Sequence, residues 1–294
     1  MAFGLGASTS LLDAGRFGEL VDQLEDRRFD SLWLSERANG PAPDPLIALA
    51  MAAGRTTRLK LGTSVLVVPG RNPVLLAKEL ATLDRLSGGR FLPAVGLGAP
   101  DPLEHQAFGV TREARSSLFD EILPLLRRLW TGEPVHHDGT HFHLDGVAVG
   151  PRPVQDPFDI WLGGIAPSEL RRVGRLGDGW LPSFTTPDDA AEARPTVVEA
   201  AAAAGRSIDD EHWGALVLYS RDGIPDRIRA GLEQRRPGLD PASVLPGSIE
   251  GVRDMLQAFI ARGFTKLVVV PLTEPTDWTA EVDAMAEALL DLQT

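Results

Sequence analysis

The run Leu59–Gly98, LKLGTSVLVVPGRNPVLLAKELATLDRLSGGRFLPAVGLG, constrains the fold more than any other stretch, because it spells strand, loop, helix, turn and strand without interruption. Leu59 to Val68 is apolar and β-branched with Gly62 inside it, the composition of a strand buried on both faces in a parallel sheet. Pro69-Gly70 ends it. Asn72 is placed to cap a helix with Pro73 at its first position, where the missing N–H costs nothing. Leu75, Leu76, Leu80, Leu83 and Leu86 recur at helical spacing, Ser87-Gly88-Gly89 stops the helix, and Phe91 to Leu97 begins a second strand. The unit is βαβ.

Similar signals recur along the chain. Strands are expected at Phe3–Ala7, Ser31–Ser35, Asp159–Gly163, Gly179–Pro182, Gly214–Ser220 and Lys266–Pro271. Helices are expected at 15–28, at 44–56 with Leu46, Leu49 and Ala50 inward, and at 111–131, 168–176, 188–204, 248–262 and 276–292. Eight strands alternating with helices predict a (β/α)8 TIM barrel, in one domain over 1–294, rather than an open sheet. VHHDGTHFHLDGV interrupts the alternation as a β-hairpin insertion within about 134–150, turning at Asp138-Gly139.

Nowhere do eighteen apolar residues run together, and the N-terminus lacks a basic, signal-like start, so a membrane span and secretion are not expected. The chain has no cysteine, which fits a cytoplasmic location, and its net charge of −12 disfavours nucleic acid as a partner.

In a barrel the site lies at the C-terminal ends of the strands. That directs attention to Ala7, Ser8, Ser35–Arg37, Ser64–Val67, Gly96–Ala99, Gly163–Ala166 and 180–184. Gly163-Gly164-Ile165-Ala166-Pro167-Ser168 reads as a tight turn delivering a helix N-terminus, a natural phosphate site, although Gly-Gly turns before helices also occur without a ligand. The alternative for Glu36 and Arg37 is a strand-end surface pair. Asp101, Glu104 and His105 are within reach of the mouth from the loop after the fourth strand, and His105 is the best titratable candidate among them, against a plain loop histidine. Arg171, Arg172 and Arg175 offer cations to an anionic ligand, or a solvated helix face. His136, His137, His141 and His143 invite a metal reading, but no acidic or thiolate ligand stands at fixed spacing, so no metal is expected. Trp33, Trp161 and Trp180 fall on strands where burial is the default, with Trp180 also a candidate for the substrate pocket.

Together with FDSLWLSER at 29–37 and PRPVQDPFDIWLGGIAPSELRRVGRLGDGWLPS at 151–183, the opening unit resembles the luciferase-like monooxygenase family, the flavin- and deazaflavin-dependent oxidoreductases related to bacterial luciferase. LATLDRLSGGR and RLGDGW are the most specific elements, and the wording is most similar to the branch that uses coenzyme F420. The resemblance implies hydride transfer between F420 and a small organic substrate. FMN-dependent oxygenation is the alternative, and a non-catalytic flavin-binding protein a second one. It implies a strand bulge at Ser64-Val65, often with a non-prolyl cis peptide, behind the central ring of the cofactor. It also implies ring and ribityl contacts from Glu36, Val67 and Gly98, a phosphate held by Gly163, Gly164, Ala166 and Ser168, and a homodimer formed through outer helices. Two positions depart from the family pattern. Arg37 stands where relatives carry an acid–base histidine, and arginine stays protonated, so it can stabilise negative charge but cannot act as a base. Ala99 stands where the sugar-phosphate dehydrogenase branch has a catalytic glutamate.

Overall fold

Both faces of the strands are buried, so the alternation of side chains across each strand divides the core into an inner and an outer part. The structure, a computed structural model, describes residues 1–6, 9 and 14–293. Ala7 and Ser8, expected at the mouth, lie outside the described residues.

The first strand (Ala2–Leu5) pairs in parallel with the second (Ser31–Leu34) and the eighth (Lys266–Pro271). The second pairs with the third, which comes in two pieces, Lys60–Thr63 and Leu66–Val67. The third pairs with the fourth (Phe91–Leu92 and Ala94–Gly96), the fourth with the fifth (Trp161–Leu162), and the fifth with the sixth (Gly179–Trp180). The seventh (Gly214–Tyr219) pairs with the eighth, and parallel bridges Trp180↔Trp213 and Ser183↔Leu216 join the sixth to the seventh. The ring closes into the expected (β/α)8 barrel.

Its interior holds Trp33, Trp161, Leu181, Val268 and Val270. Two indoles fit inside one barrel because neighbouring strands present glycine: a Cβ on Gly62 would lie 2.3 Å from the Trp33 ring and one on Gly179 2.4 Å from Trp161. The outer core, including Leu32, Leu34, Leu162 and Trp180, packs under the helices.

Helix starts follow the sequence closely. Asn72 accepts from the Val74 and Leu75 amides at 2.9 and 3.2 Å ahead of helix Pro73–Ser87, and Gly88 closes that helix at φ +68°. Asp44 caps helix Pro45–Arg55, but its inward face is Ala48, Leu49, Ala52 and Ala53, while Ala50 is exposed. Two helices escaped the sequence reading: Pro102–Ala107, a short six-residue helix after the fourth strand, and Asp226–Arg235, too polar to show an apolar stripe. The second covers the top of the barrel, where Leu232, Val244, Leu245 and Leu272 form a small core with Phe184 and Leu218 beneath. The hairpin is present as Val135–Asp138 and His143–Val147, but it turns through four residues, with the Gly139 N–H donating to the Phe142 carbonyl at 3.0 Å, not tightly at Asp138-Gly139. Among the described residues no helix is long and apolar enough to cross a membrane.

Candidate active site

The mouth is built around the interruption of the third strand. The Ser64-Val65 peptide is cis. Ser35 Oγ donates to the Ser64 carbonyl at 2.9 Å and lies 3.3 Å from Ser64 Oγ, and the Glu36 N–H donates to the Val65 carbonyl at 3.3 Å. Val65 then faces positions without side chains: a Cβ on Gly96 would come 2.6 Å from Val65 Cγ2, and one on Gly163 3.6 Å from Val65 Cγ1. Gly98, at φ +79°, lies beside Val67, whose Cγ1 would be 3.0 Å from an added Cβ. Val65 is thus ringed by bare backbone, a floor that a flat ring can approach closely.

The loops above the floor are tied by charge. Glu36 accepts from the Val67 N–H at 2.6 Å and from Arg71, whose Nε in turn donates to the Val67 carbonyl at 2.8 Å. Burial pushes the Glu36 carboxyl above the ordinary glutamate range, against the pull of Arg71 and the Val67 N–H. Arg37 is engaged from the next loop: Nε donates to Glu104 at 3.0 Å, and Nη2 donates to Asp101 at 2.9 Å and to Asn39 at 3.2 Å. Glu104 is buried and also accepts from the Ala38 and Asn39 amides at 3.3 and 3.2 Å. Arg37 is therefore a strut between loops as well as a cation, and only its Nη1 is without a hydrogen bond among the described residues. His105 sits beside this cluster, but its Nε2 is closed off from solvent and has no hydrogen-bond partner among the described residues. Arg115 donates from Nη1 to the carbonyls of Leu97, Gly98 and Ala99 at 3.1 to 3.3 Å and so shapes the backbone around Gly98.

At the end of the fifth strand, Gly164 adopts φ +102° and its carbonyl accepts from Trp180 Nε1 at 2.8 Å. Trp180 is fully buried in the outer core, which corrects its expected place in a substrate pocket: it anchors this turn from behind. Helix Pro167–Leu176 follows. The Ile165 and Ala166 amides both donate to Glu169 Oε2 at 3.0 Å. The Ser168 and Glu169 amides have no intrahelical acceptor by helix geometry, and among the described residues no side chain caps them. Arg172 and Arg175 are paired with Asp120 at 2.5 and 3.2 Å and are not free for an anionic ligand, whereas Arg171 is exposed.

The hairpin histidines each have a partner of their own: His136 with Asp145 and His143 with Asp138, both at 2.8 Å, His137 with Glu121 at 2.9 Å, and His141 with Ser117 at 2.9 Å. Among the described residues no three histidine, cysteine or acidic side chains converge as a metal site would require.

The structure thus brings Glu36, Arg37, Ser64, Val65, Val67 and Gly98 into adjoining strand ends and loops, with Gly163, Gly164, Ala166 and Ser168 in the turn beside Val65. Sequence reasoning missed Arg71, Arg115 and Glu169, and it placed Glu104 within reach of the mouth without foreseeing that it pairs with Arg37. Glu169 alone left a trace, as an acidic residue three positions into a helix that starts at a bare Ala166 cap.

Comparison with known proteins agrees with this architecture. A family model for luciferase-like monooxygenases matches residues 2–235. The chain is 32% identical over 191 residues to an F420-dependent glucose-6-phosphate dehydrogenase of Kineococcus radiotolerans, a match covering 62% of this chain and 56% of that protein, so it spans little more than half of the relative. Among solved structures it resembles the monooxygenase RslO1 of Streptomyces bottropensis, with 25% identity, 99% of each chain covered and a TM-score of 0.77. It also superposes on the coenzyme F420-dependent tetrahydromethanopterin reductase of Methanopyrus kandleri, at 20% identity, with 100% of this chain and 99% of that one covered and a TM-score of 0.79.

Proposed function

The chain belongs to the luciferase-like monooxygenase family, and from that premise we propose that it is an oxidoreductase which binds coenzyme F420 at the barrel mouth and passes a hydride between it and a small organic molecule. The observation that carries the reading is the floor around Val65, flanked by Gly96 and Gly163 with Gly98 beside Val67, and continuous with a helix N-terminus whose first amides lack acceptors among the described residues. A planar ring joined by a chain to a phosphate fits that sequence of surfaces. The F420-dependent relative supports the deazaflavin over FMN.

When bound, the deazaflavin supplies or accepts the hydride. The residues of this chain orient and stabilise it. Val65 supports the ring, and Ser64 and Ser35 fix the backbone beneath it. Glu36 holds the Val67 backbone in place through its N–H and through Arg71, and Val67 and Gly98 line the path of the ribityl chain. The Gly163–Ser168 turn, with Gly164 and Ala166, receives the phosphate. Arg37, through its unpaired Nη1, places positive charge where negative charge develops on ring or substrate. His105, beside the Arg37–Glu104 cluster, is the proton-transfer candidate.

Titration of the protein with F420 and FMN in parallel, by ligand fluorescence and thermal shift, tests the cofactor. Micromolar or tighter binding of F420 is expected, and binding of neither would overturn the reading. The similarity to the monooxygenase RslO1 favours a second reading, oxygenation, with FMN as the cofactor that reading calls for. Selective FMN binding with oxygen consumption by the reduced flavin would establish it instead.

A homodimer is proposed through the outer face of helices Pro45–Arg55 and Pro73–Ser87. There Ile47, Leu75 and Leu86 are 74, 58 and 68% exposed on neighbouring helices, an arrangement that suits burial against a second copy. Sedimentation velocity is expected to show a dimer that Ile47→Glu with Leu75→Glu converts to monomer. A monomeric parent protein would remove the proposal.

A further inference from the structure

Resting on the proposed phosphate turn, we infer that Glu169 sets the charge of the phosphate group this site accepts, favouring a singly charged phosphodiester over a doubly charged phosphomonoester. The carboxylate lies over the donors an anion would use. Oε2 accepts from both the Ile165 and Ala166 amides at 3.0 Å, and a Cβ on Gly164 would meet the Glu169 Cβ, Cδ and Oε2 at 2.7 to 2.8 Å, so that Gly164 lets the side chain fold back onto the turn. The turn is anchored from behind by Trp180, which keeps the Gly164 carbonyl in place. Arg115, in the first turn of helix Ala114–Leu129, interacts electrostatically with Glu169, but its own hydrogen bonds run to the carbonyls of 97–99, so it moderates the carboxylate without neutralising it by contact.

An incoming phosphate therefore meets two unclaimed amides, those of Ser168 and Glu169, beside a fixed negative charge. The dipole and the amides attract any anion, while Glu169 opposes each unit of its charge. Coenzyme F420 carries its phosphate as a diester with one ionisable oxygen, and FMN carries a monoester that is close to doubly ionised at neutral pH. Glu169 thus weakens FMN more than F420. One extra unit charge a few ångströms away in a site open to water corresponds to a factor on the order of tenfold in affinity.

Glu169→Gln keeps an oxygen to cap Ile165 and Ala166 while removing the charge. Dissociation constants for F420, FMN, riboflavin and the phosphate-free deazariboflavin are measured by fluorescence on both proteins, with circular dichroism confirming the fold. The expected result is an FMN affinity about tenfold higher relative to F420, with the two phosphate-free ligands unchanged. Equal shifts for FMN and F420, no shift in either, or a change in the phosphate-free ligands would overturn the role of Glu169. If the parent protein binds riboflavin as tightly as FMN and deazariboflavin as tightly as F420, the phosphate turn itself fails and the inference falls with it. Retention of Glu169 discrimination in Glu169→Asp, which keeps the charge, supports an electrostatic origin over a packing one.

Discussion

Replacing Arg90 by methionine is expected to lower stability by about 3–5 kcal/mol, among the largest effects of any single surface-accessible side chain in this protein. All five guanidinium donors are used. Nε donates to the Ser87 carbonyl at 2.6 Å, Nη1 to Thr56 Oγ1 and the Leu59 carbonyl at 2.8 and 2.6 Å, and Nη2 to the Ala53 and Thr56 carbonyls at 3.1 and 2.9 Å. Those acceptors belong to the ends of two helices and the lead into the third strand, so one side chain ties three elements at the end of the barrel opposite the mouth. Methionine keeps the aliphatic stem and strands the carbonyls. Lysine recovers only a minor part, because a single ammonium cannot reproduce the planar fork. A midpoint lower by roughly 10 °C in thermal unfolding, with unchanged cofactor affinity in the folded protein, is the expected outcome. A midpoint within a degree or two of the parent would contradict it.

The same reasoning explains why the family was legible while the chemistry was less so. Arg90 ends LATLDRLSGGR, and in that run the buried Asp84 accepts from the Val154 and Gln155 amides at 2.6 and 3.1 Å. In RLGDGW, Asp178 accepts from Arg127 at 2.7 Å, Arg206 at 2.6 Å and the Ile160 amide at 2.8 Å. The most recognisable words of the sequence are thus staples at the base of the barrel, where each hydrogen-bonding group must have a partner. The strands, the helix caps at Asn72 and Asp44 and the mouth glycines were legible because they are local: spacing and turn chemistry determine them. Arg71 and Arg115 were not, since nothing near Arg71 in sequence announces that its partner is Glu36, and Glu104 was legible as a loop residue near the mouth but not as the group that holds residues 37–39. Ala50 was misplaced because alanine carries too little apolar surface to mark a helix face, and the short helix Pro102–Ala107 because one turn and a half carries almost no period.

Glu36→Ala is expected to weaken cofactor binding roughly ten- to hundredfold at neutral pH, the effect of leaving the Val67 N–H and Arg71 without their acceptor beside the floor. The pH dependence gives the sharper test, through Glu36→Gln. Burial holds the Glu36 carboxyl above its ordinary value of 4.5, so in the folded protein it takes up a proton at a pH where the unfolded chain is still ionised. A raised folded-state value contributes stability that is present below the unfolded value and is lost as the pH rises through the folded one. Relative to the glutamine variant, the parent protein should therefore gain stability on acidification across that window. Affinity should run the other way, because the ionised carboxylate is the form that accepts from both Val67 and Arg71, and its protonation releases them. Denaturant unfolding and F420 titration, each repeated from mildly acidic to neutral pH on both proteins, should give two curves of opposite slope in the parent and flat differences in Glu36→Gln. A parent protein whose affinity holds constant through the acid range would show that Glu36 shapes the mouth without its charge, and would leave Arg71 to position the floor through the Val67 carbonyl alone.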